Sequence, residues 1–282
     1  MSCGTITKPG LFNCTNLLKS GTKPRLLLAN WDDVVSITES ASSPNLITAI
    51  TMATAKVFYV FEGNKQDVKP TQEIIDSGSG QNVFSHKVSF VVYDITQGQK
   101  NNLERMARGR FVAILENKGK TTEAFEVYGL SSGLELVPGL ARDPLANGGG
   151  YIINLSTADG EFEPKLPQTF LSTDYATTLA AVDELAAIPT VTVISDLALQ
   201  VAGGDSETIT GTNFYGNGSS SVVTSVQWIN QDTLAATTQT SVTVASDTSL
   251  TFTSVALTAG AYRLRVNTAY GSADSTQIAI AS

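Results

Sequence analysis

Residues Phe125–Leu136 read FEVYGLSSGLEL, and this stretch decides the fold of the first two thirds of the chain. A strand-like run ends at Gly129, three residues follow, and Gly133 opens a second short apolar run. The two glycines are expected to permit backbone angles that a Cβ would obstruct, letting two strands change direction over a sheet edge. No grouping of acid, base and nucleophile accompanies the bend in the sequence. It reads as a building block, not a catalyst.

Working outward, KPRLLLANWDDVVSIT (23–38), TAKVFYVFEG (54–63), RFVAILEN (110–117) and EAFEVYGL (123–130) are rich in β-branched and aromatic residues and read as strands. NVFSHKVSFVVYDI (82–95) alternates, with Phe84, His86, Val88, Phe90 and Val92 on one side. KGKTT has the length of a hairpin turn, and ELVPG and GYIINLST complete roughly seven strands. One helix is expected over about 96–108. There Thr96 and Gln99 form a capping box, Leu103, Met106 and Ala107 share a face, and Gly109 suits a left-handed cap. A second helix is expected over about 173–187, where Tyr175, Leu179, Val182 and Ala186 share a face and Pro189 stops it. The polar stretch Gly63–Asn82 reads as a long connection. Its residues Asp67, Lys69, Pro70, Glu73, Ile74 and Ile75 are candidates for an arm that orders against a neighbouring copy, with a floppy loop as the other reading.

The composition changes at Pro189. Beyond it Thr, Ser, Val and Gly dominate and short strands alternate with Gly, Asn, Asp and Ser turns, the spacing of a β-sandwich. Two domains are therefore expected, 1–188 and 189–282. The formal net charge is −8. An acidic surface disfavours tight nucleic-acid binding but suits a passage that DNA must slide through. No run approaches the length of a membrane helix, and no secretory signal is visible, so assembly in a cytoplasm is expected.

Chemistry is sparse. Cys3, Cys14 and the one histidine, His86, are too few for a zinc site of Cys and His alone. His86 reads as a satisfied strand residue, and Asp32 and Asp33 point to opposite faces if they lie in a strand. Glu161 and Glu163 sit in DGEFEPKLP and read as solvated acids. The glycines of Asn147–Tyr151 lack the Lys-Ser/Thr of a phosphate loop. No catalytic residue, metal or cofactor is expected, and the chain is not read as an enzyme.

Two resemblances add to this. Leu103–Leu134 resembles the helix–strand–hairpin of bacteriophage major tail tube proteins, of the Bacteroidetes-phage type in particular. Phe125, Val127, Tyr128, Gly129, Gly133 and Leu134 fall on the family's turn, and LPQTFLSTDYATTLAAVDEL resembles its domain end. Ser206–Gly218, SETITGTNFYGNG, resembles the opening of IPT/TIG immunoglobulin-like domains at Ile209, Gly211, Asn213 and Phe214. GAYRLRVNTAYGSADS resembles their closing strand at Val266, Asn267, Gly271 and Ser272.

The implied fold is mainly β: a tail-tube-type β-sandwich or barrel with a packed helix, then an Ig-like β-sandwich. The implied role is a virion structural protein whose hexameric rings stack into the DNA-conducting tail tube, with the Ig-like domain outside. Implied partners are sister copies, then tape measure, terminator and possibly sheath proteins. DNA would pass without specific binding, and the protein would sit in the virion tail after assembly in the host cytoplasm. The alternative is a phage or bacterial surface adhesin whose Ig-like domain grips glycan or protein through Trp228, Tyr262 and Tyr270.

Overall fold

The computed structural model describes residues 21–64, 67–76, 82–138, 141–142 and 149–282. Cys3, Cys14, Asn147 and Gly148 lie outside them. The chain is mainly β, in several sheets.

Among the described residues, the first half contributes twelve strands to one sheet. They are β1 (Thr22–Asn30), β2 (Val34–Ser40), β3 (Ser43–Met52), β4 (Tyr59–Glu62), β5 (Lys69–Asp76) and β6 (Asn82–Val92). After helix α1 (Gln97–Met106) come β7 (Arg110–Asn117), β8 (Phe125–Tyr128), β9 (Leu134–Leu136), β10 (Ala141–Arg142), β11 (Tyr151–Thr157) and β12 (Gln168–Phe170). Helix α2 (Tyr175–Leu185) ends this half. The path runs β2-β3-β12-β8-β7-β9-β11-β6-β5, with β1 joined to β7 and β4 to β1.

Strand β7 is the corner. It pairs with β1, β8 and β9, so the sheet folds over on itself there. Leu26, Leu28, Ala113 and Leu115 on one face of β1 and β7 pack with Val88, Phe90 and Val92 of β6 and Ile153 and Leu155 of β11. Leu27, Ala29, Val112 and Ile114 on the opposite face pack with Val182 of α2 and with Ala186, its C-cap. Burial on both sides explains why LLLA is a continuous apolar run instead of an alternating one. The sheet does not close into a barrel. Among the described residues, β2, β4 and β5 each keep one unpaired edge.

Helix α1 is capped by Thr96, whose hydroxyl accepts from the Gln99 amide at 3.4 Å, while Asp94 accepts from the Thr96 amide at 2.9 Å. Leu103 and Met106 enter the core between the two sheet faces. Gly109 is not the left-handed cap. Its φ is not positive, and a Cβ there would lie 2.8 Å from the Phe111 ring. Packing room, not backbone freedom, accounts for that glycine.

Within Gly63–Asn82, the described residues 69–76 form a strand instead of a structureless connection. Lys69, Pro70, Glu73, Ile74 and Ile75 belong to β5, which pairs with β6 from Lys69↔Ser89 to Asp76↔Asn82 without a register shift. Asp67 precedes that strand and accepts from the Tyr93 hydroxyl at 2.5 Å. The polar content misleads because β5 is exposed along nearly its whole length. Asp32 and Asp33 likewise lie in a short 3-10 turn instead of a strand, where Asp33 pairs with Lys56 at 3.2 Å.

From Thr190 the chain forms a two-sheet sandwich. Strands β13 (Thr190–Ile194), β15 (Ser206–Thr212), β18 (Thr240–Ser246) and β19 (Ser249–Thr253) make one sheet, in the order β13-β15-β19-β18. The other contains β14 (Ala198–Leu199), β16 (Val223–Asn230), β17 (Ala236–Thr238), β20 (Gly260–Thr268), β21 (Gly271–Asp274) and β22 (Ala279–Ala281). Trp228, Phe214, Phe252, Leu264 and Ile209 fill the space between them.

Candidate functional site

The bend after β8 is built as its glycines require. Gly129 and Gly133 have φ of +75° and +76°, the left-handed region that disfavours any side chain. A Cβ on Gly129 would stand 2.6 Å from Leu134 Cγ and 2.9 Å from the Phe111 carbonyl oxygen. One on Gly133 would meet Arg110 Cβ at 2.9 Å. Each glycine answers two demands at once.

The fold, unlike the sequence, surrounds this bend with charge. The Gly129 amide donates to His86 Nδ1 at 3.2 Å, and the other ring nitrogen, Nε2, meets the Lys165 carbonyl at 3.0 Å. The Ser131 and Ser132 amides both donate to the Glu163 carboxylate. Glu163 is only 2% exposed, so the reading of a solvated acid was wrong for it. Glu161 is not simply solvated either: it holds Arg110 in a two-pronged pair at 2.8 Å. Trp31 Nε1 donates to the Leu130 carbonyl at 3.0 Å. The cluster's hydrogen bonds run inward to the backbone of the bend. Its chemistry holds a turn.

One consequence is testable. Nδ1 accepts a proton-bearing amide, so the native imidazole is neutral, with its proton on Nε2 facing the Lys165 carbonyl. Burial holds His86 below its ordinary value of 6.5, with the Glu163 carboxylate and the Lys165 carbonyl opposing. Below that value the unfolded chain takes up a proton the folded chain refuses. This contribution is therefore complete above pH 6.5 and is lost as pH falls below it, at up to about 1.4 kcal/mol per pH unit. Urea unfolding at about pH 7.5 and about pH 5.5 will show the loss in the wild type and a smaller one in His86→Gln. Equal losses in both proteins would refute it.

The second set of sequence candidates lies in the sandwich. Ile209 and Phe214 are core residues. Gly211 lies in β15 opposite Val191, and a Cβ there would stand 2.0 Å from the Thr190 carbonyl oxygen. Asn213 has φ of +60°, and its side-chain amide donates to the Ile188 carbonyl at 2.9 Å and Glu184 at 3.2 Å. Residues 189–279 match the family model of the IPT/TIG domain. The second sandwich is an IPT/TIG domain. Its motif residues build and seat the IPT/TIG domain. Asn217, in the same turn, clamps the other half: its side chain donates to the Ala53 and Lys56 carbonyls at 3.0 Å, and its own carbonyl accepts from Ala55 at 2.7 Å. The IPT/TIG domain is thus fastened at the foot of the β2–β3 hairpin. Sequence reasoning missed Asn217; its place within NFYGNG was the available signal.

Trp228 and Tyr262, named for the adhesin reading, are 0% and 2% exposed and belong to the IPT/TIG core. Tyr270 is half-buried against Gly216.

Among curated proteins no match is found. Solved structures with partial likeness include the SGBP-B protein of the Bacteroides ovatus mixed-linkage glucan utilization locus, in complex with a mixed-linkage heptasaccharide. It is 12% identical over 80% of this chain and 62% of that one, with a TM-score of 0.22, so the chain spans less than two thirds of that protein. The mouse coronavirus receptor-binding domain complexed with its murine receptor gives 11% identity, 75% and 98% coverage and a TM-score of 0.20. The ectodomain of mouse nectin-like molecule 4 gives 10%, 91% and 89%, and 0.17. At these scores no arrangement of the whole chain is shared.

Proposed function

We propose that this chain is a self-assembling virion structural protein, a tail tube subunit that carries an IPT/TIG domain on its outer side. The observation that carries the reading is the open edge of β5. All eight residues pair with β6 in unbroken register, no strand among the described residues pairs with the opposite edge, and Ile74 is 70% exposed. An unbroken eight-residue edge that exposes Ile74 and Ile75 is an aggregation hazard in a monomer and an interface in an assembly. Head-to-tail pairing of one edge with a different edge of the next copy closes a ring when the rotation permits, and rings stack into a tube. The resemblance of Leu103–Leu134 to tail tube proteins supplies the hexamer and the DNA channel. The net charge of −8 suits a lumen from which phosphate must slide away.

The adhesin reading loses two of its proposed contacts to the core, and among the described residues of the IPT/TIG domain every aromatic side chain is buried or half-buried. Negative-stain electron microscopy of the purified full chain tests the choice. Hollow tubes with a bore wide enough for duplex DNA are expected. A monodisperse monomer at high concentration refutes the proposal.

A further inference from the structure

We infer that the corner at 195–205 of the IPT/TIG domain is a proton-controlled latch. It is shut while the Glu207 carboxyl carries a proton and loosened once that carboxyl and its two acidic neighbours are all ionised.

The corner carries the chain from β13 in one sheet to β14 in the other and back to β15. Three carboxylates hold it. Glu207 Oε2 accepts from the Ser195 hydroxyl at 2.9 Å and from the Asp196 amide at 3.2 Å. Asp196 accepts from the Ala198 amide at 2.8 Å, and Asp205 from the Gln200 amide at 2.9 Å. Glu207 is an acid in an apolar position. In β15 it alternates onto the buried face with Ile209 and Gly211, it is 0% exposed, and its ladder partner is the core residue Phe252. Its other oxygen, Oε1, is buried with no hydrogen-bond partner among the described residues. Ser254, whose amide donates to the Asp205 carbonyl at 2.8 Å, is buried too, and its hydroxyl is likewise without a partner.

No cation of the domain offsets this charge. From Pro189 onward the chain has no lysine and no histidine, and its two arginines are Arg263 and Arg265. They flank the buried Leu264 in β20 and so turn to the outer face, where Asp274 holds Arg265 at 2.6 Å. A buried carboxyl that meets two further acids favours its protonated form. Burial pushes Glu207 above its ordinary 4.5, the Asp196 and Asp205 charges add to the rise, and the Ser195 hydroxyl and Asp196 amide oppose it. The shut corner therefore keeps its proton to higher pH than the open one. As pH rises above 4.5, opening becomes more favourable by up to about ten-fold per unit, until the shut form ionises as well. Opening frees more than a loop. Strand β14 has two residues and pairs with β22 alone, at Ala198↔Ile280 and Leu199↔Ala281. When the corner lifts, Leu199 leaves the core and the edge of β22 is uncovered, a template for strand addition.

Thiol labelling of the full chain, with Cys3→Ser and Cys14→Ser as background, reads the latch. Leu199→Cys is labelled by a dithiodipyridine from about pH 4 to about pH 8, with and without Glu207→Gln, and the ratio of the two rates cancels the ionisation of the thiol itself. Glutamine keeps the shape and removes the charge, so the ratio of the Glu207 chain to its Gln variant is expected to rise with pH, by up to about ten-fold per unit above about 4.5. Leu264→Cys, at the centre of β20, is expected to label more slowly than Leu199→Cys. Equal rates would mean that the corner opens only with the whole domain, and would overturn the latch. Ser195→Ala is expected to speed labelling at every pH and to keep the rise. The Ile280 and Ser282 amides donate to the Leu197 and Leu199 carbonyls, so their hydrogen exchange follows the same opening without a core substitution and must give the same ratio. A ratio that stays level across the range, by either probe, overturns the inference, as does loss of the rise in Ser195→Ala.

Discussion

On the proposed assembly, chains carrying Ile74→Lys and Ile75→Lys are expected to remain monomeric at concentrations where the wild-type chain is expected to form tubes. The two isoleucines lie on opposite faces of β5, and both are substantially exposed within one copy, so neither substitution disturbs the core packed between β6, β11 and β7. In an assembly they are the apolar residues of the shared edge. Burying the surface each still exposes is worth about 2 kcal/mol for Ile74 and about 1 kcal/mol for Ile75, about 3 kcal/mol together. At about 1.4 kcal/mol per decade, their loss raises the assembly concentration by about a hundred-fold. The change exceeds lost burial, because lysine on an edge strand is a device by which sheet proteins prevent edge-to-edge pairing. Sedimentation velocity and negative-stain images of the variant will show monomers, and its circular dichroism will match the wild type. Tubes of normal length from the double variant would leave β5 without a role in assembly.

What could be read from the chain follows the reach of each signal. Most local signals read well, with Gly109 as a left-handed cap the exception. Thr96 with Gln99, the spacing of Leu103 and Met106, and the paired glycines at 129 and 133 each specify a conformation within a few residues, and the backbone follows them. The motif of Ile209, Gly211, Asn213 and Phe214 identified the sandwich because its residues are tied to one turn geometry. Signals that depend on a distant partner failed. Strand β5 has a polar sequence because it lies at an edge, so its pairing with β6 leaves no apolar alternation to detect. Glu163 looked solvated because nothing nearby in sequence shows that two serine amides, about thirty positions earlier, converge on it. His86 is the satisfied strand residue the sequence suggested, but its partners Gly129 and Lys165 lie more than forty residues away and left no local signal. The placement of Asn217 against Ala53 and Lys56 has the same character, with separations of 164 and 161 residues. A single sequence records which groups can bond, and only the fold decides which do.

Gly211→Ala will unfold the IPT/TIG domain at a much lower temperature than the wild type. The reason is not backbone freedom, since Gly211 does not have positive φ. It is proximity. A Cβ would sit 2.0 Å from the Thr190 carbonyl oxygen, 3.0 Å from its carbon and 2.7 Å from the Phe214 ring. Two of these three atoms are backbone, so no rotamer change relieves the contact. Strand β13 must move off β15 at the Val191↔Gly211 pair, and Val191 and Ile194 move with it out of the core. Overpacking of this kind costs about 3 kcal/mol, before the lost ladder is counted. A domain of about ninety residues has on the order of 5–14 kcal/mol in total, and 3 kcal/mol lowers its melting temperature by on the order of 15 °C. Gly218→Ala is the matched control in the same motif. There the nearest atoms are the Tyr215 carbonyl at 3.3 Å and Ala55 Cβ at 3.6 Å, and φ is not positive, so only a small shift is expected. Calorimetry of the full chain separates the two. A Gly211→Ala protein that melts with the wild type would show that the Thr190 strand yields freely. The glycine would then need an explanation outside the sheet, such as a ligand brought close to bare backbone.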